Sequence, residues 1–219
     1  MHAAIAILAA LVRRSVTGKG AFLDVAAAEG VLSLMSLSID QYLATGEVAG
    51  PGKTLLTGRY AFYGTYECGD GRWLSVGAIE SHFYANLCKA LGLDQHISHQ
   101  FDDAQQDEIR ADFRKAFAQR TRDEWVAELA PRDTCVAPVY TIPELVEDSH
   151  FAKRRVFMQA RDEKHGPFRQ VSPVLAGCQR EQPEHQVRPY SITDTTELLV
   201  GAGMNEQEIA KLRQAGVVE

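Results

Sequence analysis

FYGTYECGDGRWLSVGAIESHFY, Phe62 to Tyr84, carries three structural instructions in succession. Two strand-like runs flank Asp70-Gly71, a pair that favours a hairpin turn because both positions tolerate positive φ. Leu74, Val76 and Ala78 alternate along the second run and share one face of a strand. The apolar run then stops at Glu80. From Ser81 onward, Phe83, Leu87, Ala90 and Leu91 fall at helical spacing, and Gly92 is the stop. The seam between strand and helix therefore falls on a carboxylate. Unpaired N–H groups at a helix start favour an anion, which would hold Glu80 ionised and in place. Ser81 is a second candidate for the N-cap. Glu80 thus serves either a site at the seam or only the helix start.

Working outward, residues 102–130 form a long amphipathic helical region with a break expected near Thr121-Arg122-Asp123. Phe113, Phe117, Trp125 and Leu129 are its expected core residues. CVAPVYTIPELVED, Cys135 to Asp148, reads as a strand running into a short helix with Pro143 in its first turn. Cys135 lies in an apolar setting, where an isolated cysteine is expected to be a small core residue rather than a nucleophile. Beyond Arg155 the pattern is irregular and proline-rich through Tyr190. Two short helices close the chain, the second with Asn205 as N-cap and Glu208 as its capping-box partner.

Upstream, AAIAILAALV, Ala3 to Val12, is apolar on nearly every face and has no capping residue before it. A helix of this kind is expected to be covered on all sides. It is too short to span a bilayer, and Arg13 and Arg14 follow the apolar run, whereas a signal peptide carries its charges before it. Gly18 and Gly20 end the helix. AFLDVAA, Ala21 to Ala27, reads as a buried strand in which Asp24 would need a partner. A second helix closes at Gly46. The stretch Gly46 to Gly58, rich in glycine, reads as a linker or binding loop.

The composition is that of a globular protein: 219 residues, 45% hydrophobic and 24% charged, with a net charge of −6 and a sequence pI near 5.7. No basic stripe points to nucleic acid. The four cysteines, Cys68, Cys88, Cys135 and Cys178, lack metal-ligand spacing, as do His82, His96 and His99, and no metal is expected. Reduced thiols in the cytoplasm are the simplest state.

Three stretches, FYGTYECGDGRWLSVGAIESHFY, FAQRTRDEWVAEL and DTCVAPVYTIPELVED, resemble the family III CoA-transferases (the CaiB/BaiF group), in particular their α-methylacyl-CoA racemase branch. AAIAILAALVRRSVTGKGAFLDVAAAEG is similar to the family's central helix-strand unit, and TTELLVGAGMNEQEIAKLRQAGVV to its C-terminal signature. The resemblance implies an α/β fold: an incomplete Rossmann-like large domain and a smaller α+β domain. Residues 1–46 would be a helix-strand-helix remnant of the large domain and 47–56 a linker. Residues 57–155 would form the small domain, and 156–219 a return linker and C-terminal helices packing on the large domain. The family's catalytic aspartate and histidine would lie in an N-terminal half that these residues do not include, so this chain by itself is expected to be inactive.

The resemblance also implies an acyl-CoA substrate, no further cofactor, an interlocked homodimer and no membrane span. Glu80 would stand beside the cleft as a supporting catalytic residue. Gly58, Arg59, Tyr63, Gly77 and Ile79 would contact substrate. Where the racemases tend to have two glycines in a mobile loop, this chain has Gly58 followed by Arg59; where they have proline, it has Ser81. Three functions remain open: racemisation of a 2-methylacyl-CoA, CoA transfer between carboxylates through an aspartyl intermediate, and a non-catalytic role.

Overall fold

In the computed structural model, which describes residues 1–173, 175, 177–178, 184–189 and 192–218, the expected hairpin forms. Strands Tyr63–Glu67 (β1) and Trp73–Gly77 (β2) pair antiparallel, from Tyr63 opposite Gly77 to Glu67 opposite Trp73. At the turn, Asp70 accepts from the Arg72 N–H and guanidinium, and Gly71 adopts φ +75°. After helices Ser81–Leu91 (α4), Gln106–Phe117 (α5) and Arg122–Leu129 (α6), strand Val136–Pro138 (β3) returns antiparallel to β2. β2 is therefore the centre of a three-stranded sheet ordered β1-β2-β3.

Leu74, Val76 and Ala78 are buried, as their alternation requires. They meet Leu87 of α4, Ile109, Phe113 and Phe117 of α5, and Trp125 and Leu129 of α6. The aromatic rings pack at angles suited to their quadrupoles: Tyr66 lies 5.1 Å from Phe117, and Phe117 meets Trp125 edge-on at 5.7 Å. The break between α5 and α6 falls where expected. Thr121 caps α6 in a reciprocal box with Glu124. Gly92 ends α4 in the left-handed conformation. At the other end of α4 the N-cap is Glu80, not Ser81, which is the first helical residue.

Helices His2–Thr17 (α1), Ala27–Leu34 (α2) and Ser36–Thr45 (α3) precede the sheet. Glycines at 18 and 46 end α1 and α3 with positive φ. None of the three helices buries a residue. The strand expected at Ala21–Ala27 does not form. A strand needs a neighbour to take its backbone hydrogen bonds; no described residue supplies one, α2 begins at Ala27, and Asp24 is exposed without needing a partner. Between α3 and the hairpin, Leu55–Thr57 forms a single 3-10 turn capped by Thr54.

The described residues divide into two compact units, Met1–Val139 and Tyr140–Glu219. In the second, Thr141 caps Ile142–Glu147 (α7), with Pro143 in the first turn as expected, and Ser149–Lys153 (α8) follows. The irregular character expected beyond Arg155 is wrong for its first part. Phe157–Asp162 (β4) and Gly166–Val171 (β5) form an antiparallel hairpin, and His185–Val187 (β6) adds parallel to β4. The turn lacks an Asn-Gly or Asp-Gly pair. Instead Asp162 Oδ1 accepts from the N–H groups of Lys164 and His165, and Gly166 takes φ +77°. The rest of that proline-rich stretch includes residues 174, 176, 179–183 and 190, outside the described residues. Thr195–Gly201 (α9) and Glu206–Gln214 (α10) end the unit. Asn205 caps α10 with Glu208 in the expected box, and Ile209 is buried.

Candidate functional site

β1 starts, β2 ends and β3 starts at the same end of the first sheet. Five of the six residues singled out from the sequence converge there. Tyr63 stands opposite Gly77 in the ladder. The Gly77 N–H donates to the Cys135 carbonyl at 2.9 Å and Ala78 to that of Phe62 at 3.0 Å. Gly58 adopts φ +92°, and a Cβ placed on it would lie 3.9 Å from the Tyr63 carbonyl oxygen. Ile79 and Glu80 complete the rim. Ile79 is held by Gln100, whose amide donates to its carbonyl at 2.7 Å.

Arg59 is the sixth, and its charge is already engaged. Its guanidinium forms a two-pronged ion pair with Asp103, which raises its pKa, and lies 5.3 Å over the Tyr60 ring. Arg110 secures the same turn by donating to the carbonyls of Gly58 (2.8 Å) and Arg59 (2.9 Å). The loop is thus fastened to the start of the α5 region at two arginines. Neither Arg110 nor Asp103 carries a local sequence cue, because the contacts span some fifty positions.

Glu80 occupies the N-cap, yet its carboxylate makes no capping hydrogen bond; only its backbone carbonyl accepts, from Tyr84 N–H at 3.1 Å. The side chain is exposed and has no hydrogen bond or ion pair among the described residues. Its field reaches Cys135. That thiol is pushed above its ordinary range first by desolvation, then by Glu80 and Asp133. Cys135 is exposed, contrary to the expected core position. The reason is local: Asp133 and Cys135 both take φ near +50° while Thr134 between them turns inward, fully buried, to donate to the Leu129 carbonyl at 2.8 Å. Such backbone is costly for non-glycine residues and persists only where neighbours hold it. Asn86 of α4 does so, donating to the Asp133 carbonyl at 3.2 Å.

The sheet end, with its uncommitted carboxylate at a strand-helix seam, lies inside a region matched by a known sequence profile. That profile, described as CoA-transferase family III, matches residues 1–190. The chain belongs to CoA-transferase family III. Human α-methylacyl-CoA racemase is 33% identical over 99% of this family III chain, and the mouse enzyme 31% over 97%. A succinyl-CoA–D-citramalate CoA-transferase of Chloroflexus aurantiacus is 26% identical over 78%. This chain spans about half the length of such relatives: 56%, 55% and 44% of the three. Among solved structures, Rv3272 of M. tuberculosis superposes with a TM-score of 0.62 at 19% identity, over 78% of this chain and 46% of that one. A CAIB/BAIF family protein of Brucella suis superposes at 0.55 and 23% identity, over 70% and 42%. They share the fold.

Several other titratable groups of this family III chain serve its frame. Tyr66 is core: buried, donating to the Ala61 carbonyl at 2.5 Å, with burial pushing its phenol up to about 12. Buried His96 meets Asp112 at 2.8 Å, and His99 pairs with Asp102. No group of three or more metal-ligating side chains comes together among the described residues. No described helix is long and apolar enough to cross a membrane.

Proposed function

We propose that this chain forms one wall of an acyl-CoA site, and that its reaction is α-methylacyl-CoA racemisation. One observation carries the reading: Glu80 sits at a helix N-cap with its carboxylate free. Both carboxylate oxygens are left open to a further partner, because none of the orphan N–H groups beside it is bonded to it. The higher identity to racemases than to the transferase supports proton transfer as the chemistry.

In racemisation, a base removes the α-proton of a 2-methylacyl-CoA, and the C–H electron pair delocalises into the thioester as an enolate. An acid on the opposite face returns a proton to the same carbon. Inversion needs the two groups on opposite sides. The resemblance places that pair in sequence that this chain does not span. The residues present here have supporting tasks. Glu80 would orient the imidazole of the histidine base and hold its charge, acting as a positioning residue. Gly58, Tyr63, Gly77 and Ile79 would line the acyl and thioester portion. The N–H groups of Gly77 and Ile79 already donate to the carbonyls of Cys135 and Gly77. Hydrogen-bond donors for the enolate oxygen must therefore come from elsewhere.

In this reading residues 1–46 belong to the larger domain, residues 156–219 are a return linker and C-terminal helices that pack on it, the assembled enzyme is a homodimer, and it works in lipid metabolism in the cytoplasm. The test uses the assembled enzyme and a chiral 2-methylacyl-CoA in D₂O. Glu80→Gln should lower kcat for α-proton exchange by about 10- to 100-fold with KM little changed. It should also move the limb of the pH–rate profile that reports the base. An unchanged kcat and profile would remove Glu80 from the site.

The transferase relatives favour a second reading, CoA transfer through a carboxylate nucleophile. Hydroxylamine-trappable acyl-enzyme without α-proton exchange would favour it over racemisation.

A further inference from the structure

The Glu80 carboxylate is bonded to nothing among the described residues, so its direction depends on the backbone that launches it. That backbone lies beyond the reach of the sheet. The ladder between β1 and β2 closes at this end with the bond from Ala78 N–H to the Phe62 carbonyl at 3.0 Å. Past it, Ile79 N–H turns back to the Gly77 carbonyl at 2.9 Å in a three-residue turn, and Glu80 opens α4. Backbone groups on both sides of this gap need partners from another part of the chain. Two glutamines supply them. Gln100 donates to the Ile79 carbonyl at 2.7 Å and to that of Ala78 at 3.4 Å. Gln106 accepts from Ala61 N–H at 2.9 Å, just before β1. Its amide nitrogen faces the carbonyls of Asp102 (3.0 Å), Gln100 (3.2 Å) and His99 (3.3 Å).

Both side chains are buried, Gln100 to 6% and Gln106 to 5% exposure. Their neighbours dictate how each amide is turned, since carbonyls accept only from its nitrogen and an N–H donates only to its oxygen. An apolar side chain would fill the same volume without the cost of burying an amide. What the amides add is a single fixed arrangement of the groups they join. The segment that carries them is itself held. Phe101 packs edge-on against Tyr60 at 5.4 Å and Phe62 at 5.3 Å. Upstream, buried His96 bonds to Asp112 of α5, and its carbonyl accepts from the Tyr84 hydroxyl of α4 at 3.1 Å. We propose that Gln100 and Gln106 are positioning residues for the acyl-CoA site. They fix the peptide plane between Ile79 and Glu80 against the start of β1, and so set where the Glu80 carboxylate stands. The connection runs from Ala61 N–H through the Gln106 side chain to the Gln100 carbonyl, and from the Gln100 side chain to Ile79. The catalytic part of this assignment rests on the reading of Glu80 given above; the connection between β1 and the seam does not.

Backbone hydrogen exchange in the 219-residue chain tests the connection. Gln106→Met removes both ends of the Gln106 amide, which touches neither Ile79 nor Tyr84. Exchange at the Ile79 and Tyr84 amides should nevertheless rise by about fivefold or more, while amides in the middle of β1 and β2 are unchanged. Gln106→Glu keeps the acceptor for Ala61 and loses the amide donors, and it gives the same reading should Gln106→Met not fold. Unchanged exchange at Ile79 and Tyr84 in the folded variant overturns the proposal. The assembled enzyme tests the purpose. Gln100→Met should lower kcat for α-proton exchange on a 2-methylacyl-CoA by about tenfold with KM little changed, and should move the same limb of the pH–rate profile as Glu80→Gln. Combined with Glu80→Gln it should cost nothing further, because Gln100 acts through Glu80. Losses that multiply in the double variant would reveal a general weakening of the fold and overturn the proposal. An impaired Glu80→Gln enzyme beside an unimpaired Gln100→Met enzyme overturns the proposal alone. An unimpaired Glu80→Gln enzyme overturns the reading of the site and the proposal with it.

Discussion

Gly69 shows how a single hydrogen can decide a packing. Its N–H donates to the Arg120 carbonyl at 2.7 Å, docking the hairpin turn against the α5–α6 connection. A Cβ there would lie 2.7 Å from the Ala118 carbonyl oxygen and 3.1 Å from that of Arg120. Both are backbone atoms and cannot swing aside. Gly69→Ala should therefore destabilise the protein by about 1–3 kcal/mol, seen as a lower urea midpoint with unchanged slope. The cysteines give a second residue-scale expectation. Cys68 and Cys88 are buried, and burial pushes both thiols from the ordinary 9.0 to about 11; Asp70 adds to the shift at Cys68, while at Cys88 a bond from Tyr84 offsets part of it. An aromatic disulfide reagent at pH 7.5 should label Cys135 and Cys178 and spare these two. Between pH 9 and 11 the unfolded chain releases thiol protons that the folded protein keeps. Stability gained from these groups is therefore complete below pH 9 and declines as pH rises through 11. Stability that rises over that interval would contradict the burial.

Elements whose cues are local were legible in the sequence; elements defined by distant partners were not. The hairpin at Asp70-Gly71, the break before α6, the proline in the first turn of α7 and the Asn205 cap each rest on residues within a few positions of one another, and each forms as read. Ala21–Ala27 has the composition of a strand, but pairing is a long-range property and no described neighbour pairs with it. The β4–β5 hairpin was hidden for the opposite reason, since its turn relies on an aspartate side chain bonding to backbone N–H groups instead of a glycine pair. The candidate rim divides in the same way. Glu80 follows from the strand-helix seam and Gly77 from the family resemblance, whereas Arg110, Asp103 and Cys135 reach the rim only through tertiary contacts. Thr121 offers a quantitative check on the local cues. Its side chain accepts from Glu124 N–H, and the Glu124 carboxylate accepts from the Thr121 hydroxyl at 2.7 Å and from Thr121 N–H at 2.9 Å; these two bonds, the hydroxyl's first, hold that carboxyl below its ordinary range. Thr121→Ala should cost about 1 kcal/mol. The loss should appear in unfolding monitored at Trp125, one turn into the capped helix.

At the scale of the molecule, the distribution of buried residues shows which part of the first unit holds its core. Every member of the main core cluster, from Ala61 to Val136, lies in the sheet, in its three covering helices or in the residues that directly adjoin β1 and β2. The sheet's polar frame is closed over the same span: Gln106 accepts from Ala61 N–H at 2.9 Å, and Arg122 donates to the Val139 carbonyl at 3.0 Å. A fragment of residues 50–139 therefore holds a complete core, in the size range where single domains fold alone. It should unfold cooperatively in urea, with near-ultraviolet signals from Trp73 and Trp125 lost together. Its midpoint should match that of the first unit in the full chain to within about 0.5 M. The expectation is sharp because α1–α3 bury no residue. If they contributed materially to the fold, their removal would lower the midpoint or abolish the transition.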